Sequence, residues 1–146
     1  MFDFDIEGKL RKSIPEDTVR DFLDFCVEEL KLNRFKYVEV HVVFSRLKDA
    51  AGWCQWEDDN IRPREFTIDC LNTQTDEDIF KTLAHEMVHV KQMLKGESRE
   101  LFKPAYRKYW KGEDHTNTAY DDQPWEKEAY ALQDVLYDRY HEQCEV

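Results

Sequence analysis

One helical segment in the middle of the chain constrains the fold most, because apolar residues surround two histidines at its centre. Thr75 can cap a helix over 76–95, with acidic residues favourably placed in its first turn and Gly96 as a natural stop. His85 and His89 are four residues apart on this helix, so both imidazoles lie on one face. Their neighbours are Leu83, Ala84, Met87, Val88 and Val90. Such a helix must be covered by other elements, and we expect it to pack on a sheet.

The segments on either side of this helix predict what it covers. The expected elements, in chain order, are a helix at 13–33, strands at 37–46, 52–58 and 65–71, the histidine helix, an irregular segment at 97–121, and a helix that Pro124 opens. A helix followed by three strands gives a sheet with one apolar face, which the histidine helix can cover. We therefore predict an α+β fold in a single domain, 1–146.

Composition and charge favour a packed, soluble protein of the cytoplasm. The 146 residues are 41% hydrophobic and 14% aromatic, which suits one core and argues against disorder. The formal net charge of −11 lowers the expectation of a nucleic-acid partner, and we interpret the basic, aromatic stretch 103–112 as a loop or short helix. No apolar run is long enough for a membrane span, and the four cysteines form no C-x-x-C pair. We expect no membrane partner and a cytoplasmic location, in the host if the chain is phage-encoded.

The histidine pair has the spacing of a zinc site with its own base. Two imidazoles from one helix face can bind one ion, and we expect one Zn²⁺ per chain at His85 and His89. Glu86 is offset around the helix, so it can reach a water on the metal without being a ligand itself. A helix needed only for packing could carry Leu or Gln at these positions, and the apolar flanks therefore favour a functional site.

A catalytic zinc site needs a third protein ligand, and spacing alone leaves several candidates. No histidine follows at the short spacing of H-E-x-x-H-x-x-G-x-x-H. Glu126 and Glu128 lie near the start of the last helix, where Glu126 can approach the histidine helix and Glu128 projects toward solvent. The remaining candidates precede that helix: His115, Asp121 and Asp122.

The motifs "HEMVH" (85–89) and "EKEA" (126–129) together resemble the gluzincin clan of zinc metallopeptidases. The chain is most similar to its minimal, single-domain (minigluzincin-like) members and to zincin-like proteins of phages and bacteria. The resemblance implies an N-terminal helix, a small, mostly antiparallel sheet, the active-site helix and a ligand-bearing helix. It also implies that Glu126, in the E-x-x-A pattern, is the third ligand. Many relatives have Asp or Asn after that alanine, whereas this chain has Tyr130.

The predicted activity is hydrolysis of peptide bonds in a peptide or protein substrate. Glu86 acts as general base on the zinc-bound water, and Tyr120 or His115 stabilises the oxyanion that develops on the substrate carbonyl. The strand "REFTIDC" (64–70) is an edge strand in this interpretation and binds an extended peptide; an interior strand is the alternative.

Two other functions compete with this prediction. One is a non-catalytic zinc-binding interaction or assembly module, although such a site needs no base at Glu86 and tends to have four protein ligands. The other is a Spartan-like protease that acts on DNA-bound proteins. It would use a third histidine, for which His115 and His141 are the candidates, and the acidity of the chain argues against it.

Overall fold

The computed structural model describes residues 2–47, 49–59 and 61–144, in which helices and strands form an α+β fold. The elements are β1 (Phe2–Gly8), α1 (Glu16–Glu29), β2 (Val38–Ser45), β3 (Gly52–Trp56), β4 (Glu65–Leu71), α2 (Asp76–Leu94), β5 (Ser98–Leu101), β6 (Arg107–Trp110), β7 (Glu113–Asp114) and α3 (Pro124–Cys144). The predicted α+β class is thus confirmed. That 1–146 is a single domain stays a prediction, and positions 1, 48, 60, 145 and 146 lie outside the described residues.

The larger sheet has the strand order β1-β2-β4-β3, and its strand directions differ from those we expected. β1 pairs with β2 and β2 with β4 in parallel, whereas β3 pairs with β4 in antiparallel. The prediction of a mostly antiparallel sheet is therefore wrong for this sheet. For β1 and β2 the physical reason is the helical crossover: α1 connects them, and a helix between two strands returns the chain in the same direction. β2 and β4 are parallel because β3, which runs in the opposite direction, pairs on the far side of β4 and not between them.

Strand β1 was not predicted, although its residues alternate as a strand requires. Phe2, Phe4 and Ile6 alternate with three acidic residues, and the apolar members are half-buried at the side of the core. β2 and β4 show the same alternation more strongly, with every second side chain fully buried. The four-stranded sheet therefore has one face in the core and one face that carries polar side chains.

The buried face of this sheet packs against the helices in one core. The histidine helix α2 lies in the middle of this arrangement, as its apolar composition predicts, and α1 and α3 complete the cover. Thr75 caps α2 by accepting a hydrogen bond from the Asp78 amide at 3.2 Å, and Gly96 follows the helix with a positive φ of 74°. No helix within the described part of the chain is long and apolar enough to cross a membrane.

The segment 97–121 is more regular than we predicted. It contains the antiparallel sheet β5-β6-β7 and a 3-10 turn, Tyr120–Asp122, that leads into α3. The strands have four residues at most, and charged residues are frequent in them, so no apolar alternation marks them in the sequence. The second sheet places Lys108 and Glu100 in the wall of a cavity that the two histidines also line.

Candidate metal centre

The structure brings His85, His89 and Glu126 together between α2 and α3. The Glu126 Oε1 lies 2.8 Å from Nε2 of His85 and 3.2 Å from Nε2 of His89. The centroids of the two imidazole rings are 4.9 Å apart, and the rings are nearly perpendicular. The two Nε2 atoms converge on the same carboxylate oxygen. Of the described residues, these three form a group whose possible ligand atoms all lie within 4.8 Å of one another.

The other nitrogen of His89 is held by Gln92, which sequence reasoning did not identify. Gln92 is 1% exposed; its amide nitrogen donates to the Trp125 carbonyl oxygen at 2.9 Å and to Glu128 Oε1 at 3.1 Å. Both partners can only accept, so the Gln92 carbonyl oxygen faces Nδ1 of His89, at 2.8 Å. Nδ1 must therefore carry the proton, and the lone pair of the neutral ring is on Nε2, where a metal ligand requires it.

His85 has a corresponding partner on α3. Its Nδ1 lies 2.8 Å from the side-chain oxygen of Gln133, which orients Nε2 toward Glu126. Tyr130 packs against the same imidazole, with ring centroids 4.6 Å apart. One face of α3 carries Glu126, Tyr130 and Gln133. Their spacing in the sequence indicates that all three side chains can contact α2 if this face packs on it.

Glu86 is buried beside the three donors, and it is not part of the group. Its side chain is 5% exposed, and its Oε2 has no hydrogen-bond partner among the described residues. Burial raises the pKa of this carboxyl group, and the nearby His89 and His85 oppose the shift. A buried carboxylate oxygen without a partner is costly, so its position requires an explanation outside packing.

Strand β3 lies directly on the Glu86 side of α2. A Cβ atom at Gly52 would come within 2.5 Å of Cγ2 of Thr82 and 3.3 Å of Cγ of Glu86. The close approach of strand and helix therefore depends on the missing side chain at this position. The strand predicted to be the edge, "REFTIDC", is instead the interior strand β4, and β3 is the edge beside the site.

Hydrogen bonds and charges within the group shift the pKa of Glu126 and that of His89. Burial raises the pKa of Glu126, but the hydrogen bonds from His85 and His89 outweigh it and lower the pKa to about 2. For His89, burial lowers the pKa, but the hydrogen bond to Glu126 and the negative charges of Glu86 and Glu126 together outweigh burial and raise the pKa. The carboxylate is thus ionised at neutral pH, which is the form that binds a cation.

A cavity of about 670 Å³ adjoins the three donors and Glu86. Its walls include the edge strand β3, Tyr120 and Tyr130. The role of Tyr120 as the oxyanion donor stays a prediction. His115 lies elsewhere: its Nδ1 bonds the Thr118 hydroxyl at 3.0 Å, and its ring contacts Trp125.

The other candidates for the third ligand are also separate from the histidine pair. Asp121 and Asp122 are exposed in the 3-10 turn, and His141 packs on Tyr137 in the last turns of α3. Glu128 differs from its prediction, because it is not solvated: it contacts Lys91 at 2.8 Å as well as Gln92. The two residues that hold Glu128 against α2 are Lys91 and Gln92. Neither was predicted from the sequence to be a partner of Glu128.

A second group of possible ligands lies on the polar face of the larger sheet. It consists of Glu39, His41 and Glu65, and the Nε2 of His41 is 3.4 Å from Glu65. These side chains are exposed or half-buried, and no cavity among the best-formed ones includes them. A substitution at His41 is therefore an internal control for assigning a bound metal to one of the two groups.

The donors at His85, His89 and Glu126 fit a zinc ion. Two neutral imidazoles and one carboxylate are a common catalytic zinc set, and each imidazole has its second nitrogen fixed by an amide oxygen. The cavity beside them leaves room for a further, non-protein ligand. The thiol of Cys54, which also lines the cavity, is not one of the three grouped donors.

The fold, with the H-E-x-x-H helix in its core, is compatible with a small zincin-like domain. The SprT-like family model matches residues 19–118, more than half of the chain, and the chain belongs to the SprT-like family. SprT-like domains are associated with the zincin-like metallopeptidase fold, which supports the coarser part of the predicted resemblance. The gluzincin subtype depends on Glu126, which lies beyond the matched residues, and it stays a prediction. Comparison with curated proteins and with solved structures gives no match.

Replacing Gln92 should weaken metal binding without removing a ligand. Gln92→Met keeps the length of the side chain, but it leaves Nδ1 of His89 and the Trp125 carbonyl without their partner. We expect zinc affinity to fall by about 10- to 100-fold, the usual effect of losing a partner of a ligand. Competition with a chromophoric chelator measures the change. Gln143→Met, at an exposed position near the end of α3, is the matched control, and equal affinities for the two variants would contradict this role.

Proposed function

We propose that this protein is a zinc-dependent metallopeptidase of the SprT-like family. The observation that carries the proposal is the position of Glu86. It is a buried carboxylate with an unpartnered oxygen, next to a cavity and next to three converging donors that it does not join. A structural zinc site needs no such residue, whereas hydrolysis needs a general base.

In this proposal His85, His89 and Glu126 would hold the metal. Zinc bound there supplies a Lewis acid, which acidifies water and polarises a substrate carbonyl. Glu86 takes the proton from the attacking water while the water oxygen bonds to the carbonyl carbon. The same carboxyl group then passes the proton to the amide nitrogen as the C–N bond breaks, which leaves a carboxylic acid and an amine. The raised pKa of Glu86 suits a group that must both accept and return a proton.

Tyr120 is the proposed donor to the oxyanion. The residue is 55% exposed and lines the cavity together with the three donors and Glu86. Burial raises the pKa of Tyr120, so the hydroxyl remains protonated at neutral pH and can donate.

The proposed substrate is an extended peptide or unfolded segment of a protein. β3 pairs with β4 on one side, and Gly52, Trp53, Cys54 and Trp56 of this strand line the cavity. The unpaired backbone groups of an edge strand can bind an extended chain by strand addition. The absence of a nucleic-acid partner, expected from the net charge of −11, stays a prediction in this proposal.

We expect one zinc ion per chain, and the metal should be lost on chelation. Elemental analysis of the purified or zinc-reconstituted protein gives the stoichiometry. His85→Ala should lower the zinc content strongly, whereas His41→Ala, which disrupts the group on the sheet face, should leave one zinc per chain. Hydrolysis of an unstructured protein such as casein, abolished by a chelator and restored by zinc, tests the activity. A protein without bound metal, or with zinc that depends on His41, would contradict the proposed centre.

A further inference from the structure

Two tyrosines meet beside the proposed metal centre. The hydroxyl oxygens of Tyr120 and Tyr130 lie 3.2 Å apart, within hydrogen-bond distance. Both rings are about half exposed, and both line the cavity that also contains Glu86 and Glu126. Because one phenol in such a pair donates and the other accepts, each fixes where the other hydroxyl proton points.

Tyr130 is the more firmly placed member of the pair. It follows Glu126 by one turn on α3, and its ring packs on the edge of the His85 ring with an interplanar angle of 66°. His85 is itself held by Gln133 from the same helix. Tyr120 belongs to the short 3-10 turn before α3, and its ring is 55% exposed. The orientation of the Tyr120 hydroxyl therefore depends on its neighbour on α3.

We propose that Tyr130 is a positioning residue for hydrolysis: its hydroxyl donates to the Tyr120 oxygen and directs the Tyr120 proton toward the substrate carbonyl. This inference rests on the proposed function, because Tyr120 needs a developing oxyanion on which to act. When Tyr130 donates, the Tyr120 O–H remains available to the substrate. Hydrogen bonds in a chain also polarise one another, which makes Tyr120 a stronger donor.

The hydrogen bonds around the histidines leave the Tyr130 hydroxyl available for this role. Gln133 holds the Nδ1 of His85, and Gln92 holds the Nδ1 of His89. The Tyr130 hydroxyl is therefore not needed to orient either ring, and it lies within hydrogen-bond distance of Tyr120.

Steady-state kinetics on a fluorogenic peptide test the proposal with Tyr120→Phe, Tyr130→Phe and the double variant. Phenylalanine keeps the ring that packs on His85 and removes only the hydroxyl. We expect kcat to fall by about 10²-fold for Tyr120→Phe, the effect of losing an oxyanion donor, and by about 10-fold for Tyr130→Phe, with KM nearly unchanged in both. The double variant should match Tyr120→Phe, because Tyr130 acts through Tyr120. Tyr137→Phe, on the same helix but outside the cavity, should retain full activity.

A binding measurement separates positioning from a structural role. A phosphinic peptide mimics the tetrahedral oxyanion, and Tyr130→Phe should weaken its binding by the same factor as kcat. Binding of the product peptide, zinc content and the midpoint of thermal unfolding should not change. If the wild type is active and Tyr130→Phe is equally active, Tyr130 has no positioning role. The same holds if the losses of the two single variants multiply in the double variant. Either result leaves the proposed function intact. A zinc-loaded wild type that cleaves nothing would overturn the proposed function and this role with it.

Discussion

Glu86→Gln should lower the rate of peptide hydrolysis by about 10²-fold or more, and the protein should keep its zinc. Glutamine has the size and shape of glutamate, but it cannot accept a proton from water. Glu86 is not one of the three converging donors, so zinc content and thermal stability should change little. The measurement is the chelator-sensitive initial rate on a fluorogenic peptide, with metal content determined on the same samples.

The control for this variant is Glu142→Gln, an identical change at an exposed position of α3 outside the cavity. It should leave the rate unchanged. If Glu86→Gln hydrolyses the peptide as fast as the wild type while zinc is bound, Glu86 is not the base. If a zinc-loaded wild type cleaves neither peptides nor unfolded proteins, a non-catalytic zinc-binding module on the same fold becomes the better explanation.

Glu126→Ala should weaken zinc binding by more than about 10²-fold, beyond the effect of losing a ligand's partner. Its Oε1 is the atom that approaches Nε2 of both histidines, and the substitution removes the donor that α3 contributes. Zinc would then no longer join α2 to α3, so added zinc should raise the unfolding temperature of the wild type more than that of the variant. Competition titration and thermal unfolding with and without zinc measure both effects.

Glu128→Ala is the comparison that decides between the two glutamates. Glu128 reaches the site only through Gln92, whose amide donates to it, so we expect a loss of about tenfold or less in zinc affinity. Lys127→Ala, at an exposed position between them, should have no effect. Equal losses for Glu126→Ala and Glu128→Ala would move the third ligand away from Glu126.

The sequence predicts the elements that carry strong periodicity. The α2 boundaries, the Thr75 cap and the start of α3 at Pro124 agree with the structure, because capping residues and apolar spacing mark them. The parallel strand directions were not predicted. β1, whose short alternation at the chain start was overlooked, pairs in parallel with β2, and β4 lies between β2 and β3, an order that no sequence pattern marks. β5, β6 and β7 are too short and too polar to be marked by a pattern.

The site shows a similar division. The spacing of His85 and His89 places both on one helix face, so their proximity was predictable from helix geometry alone. The approach of Glu126 to the two histidines depends on how α3 packs on α2. Spacing within α3 alone only reduces the number of candidates for the third ligand. The hydrogen-bond partners Gln92 and Gln133 become recognisable once both helices are placed, because glutamine at a helical position has many other roles.

The missing side chain at Gly52 brings two parts of the proposed site close together. A Cβ atom at this position would crowd Thr82 and Glu86, so the backbone of the proposed substrate strand runs close to the proposed base. A substrate that pairs along β3 would therefore have its own backbone placed near Glu86 by the pairing itself. Recognition of an extended backbone and its delivery to the base would then be one event, and selectivity for unfolded segments would follow without a dedicated pocket for any side chain.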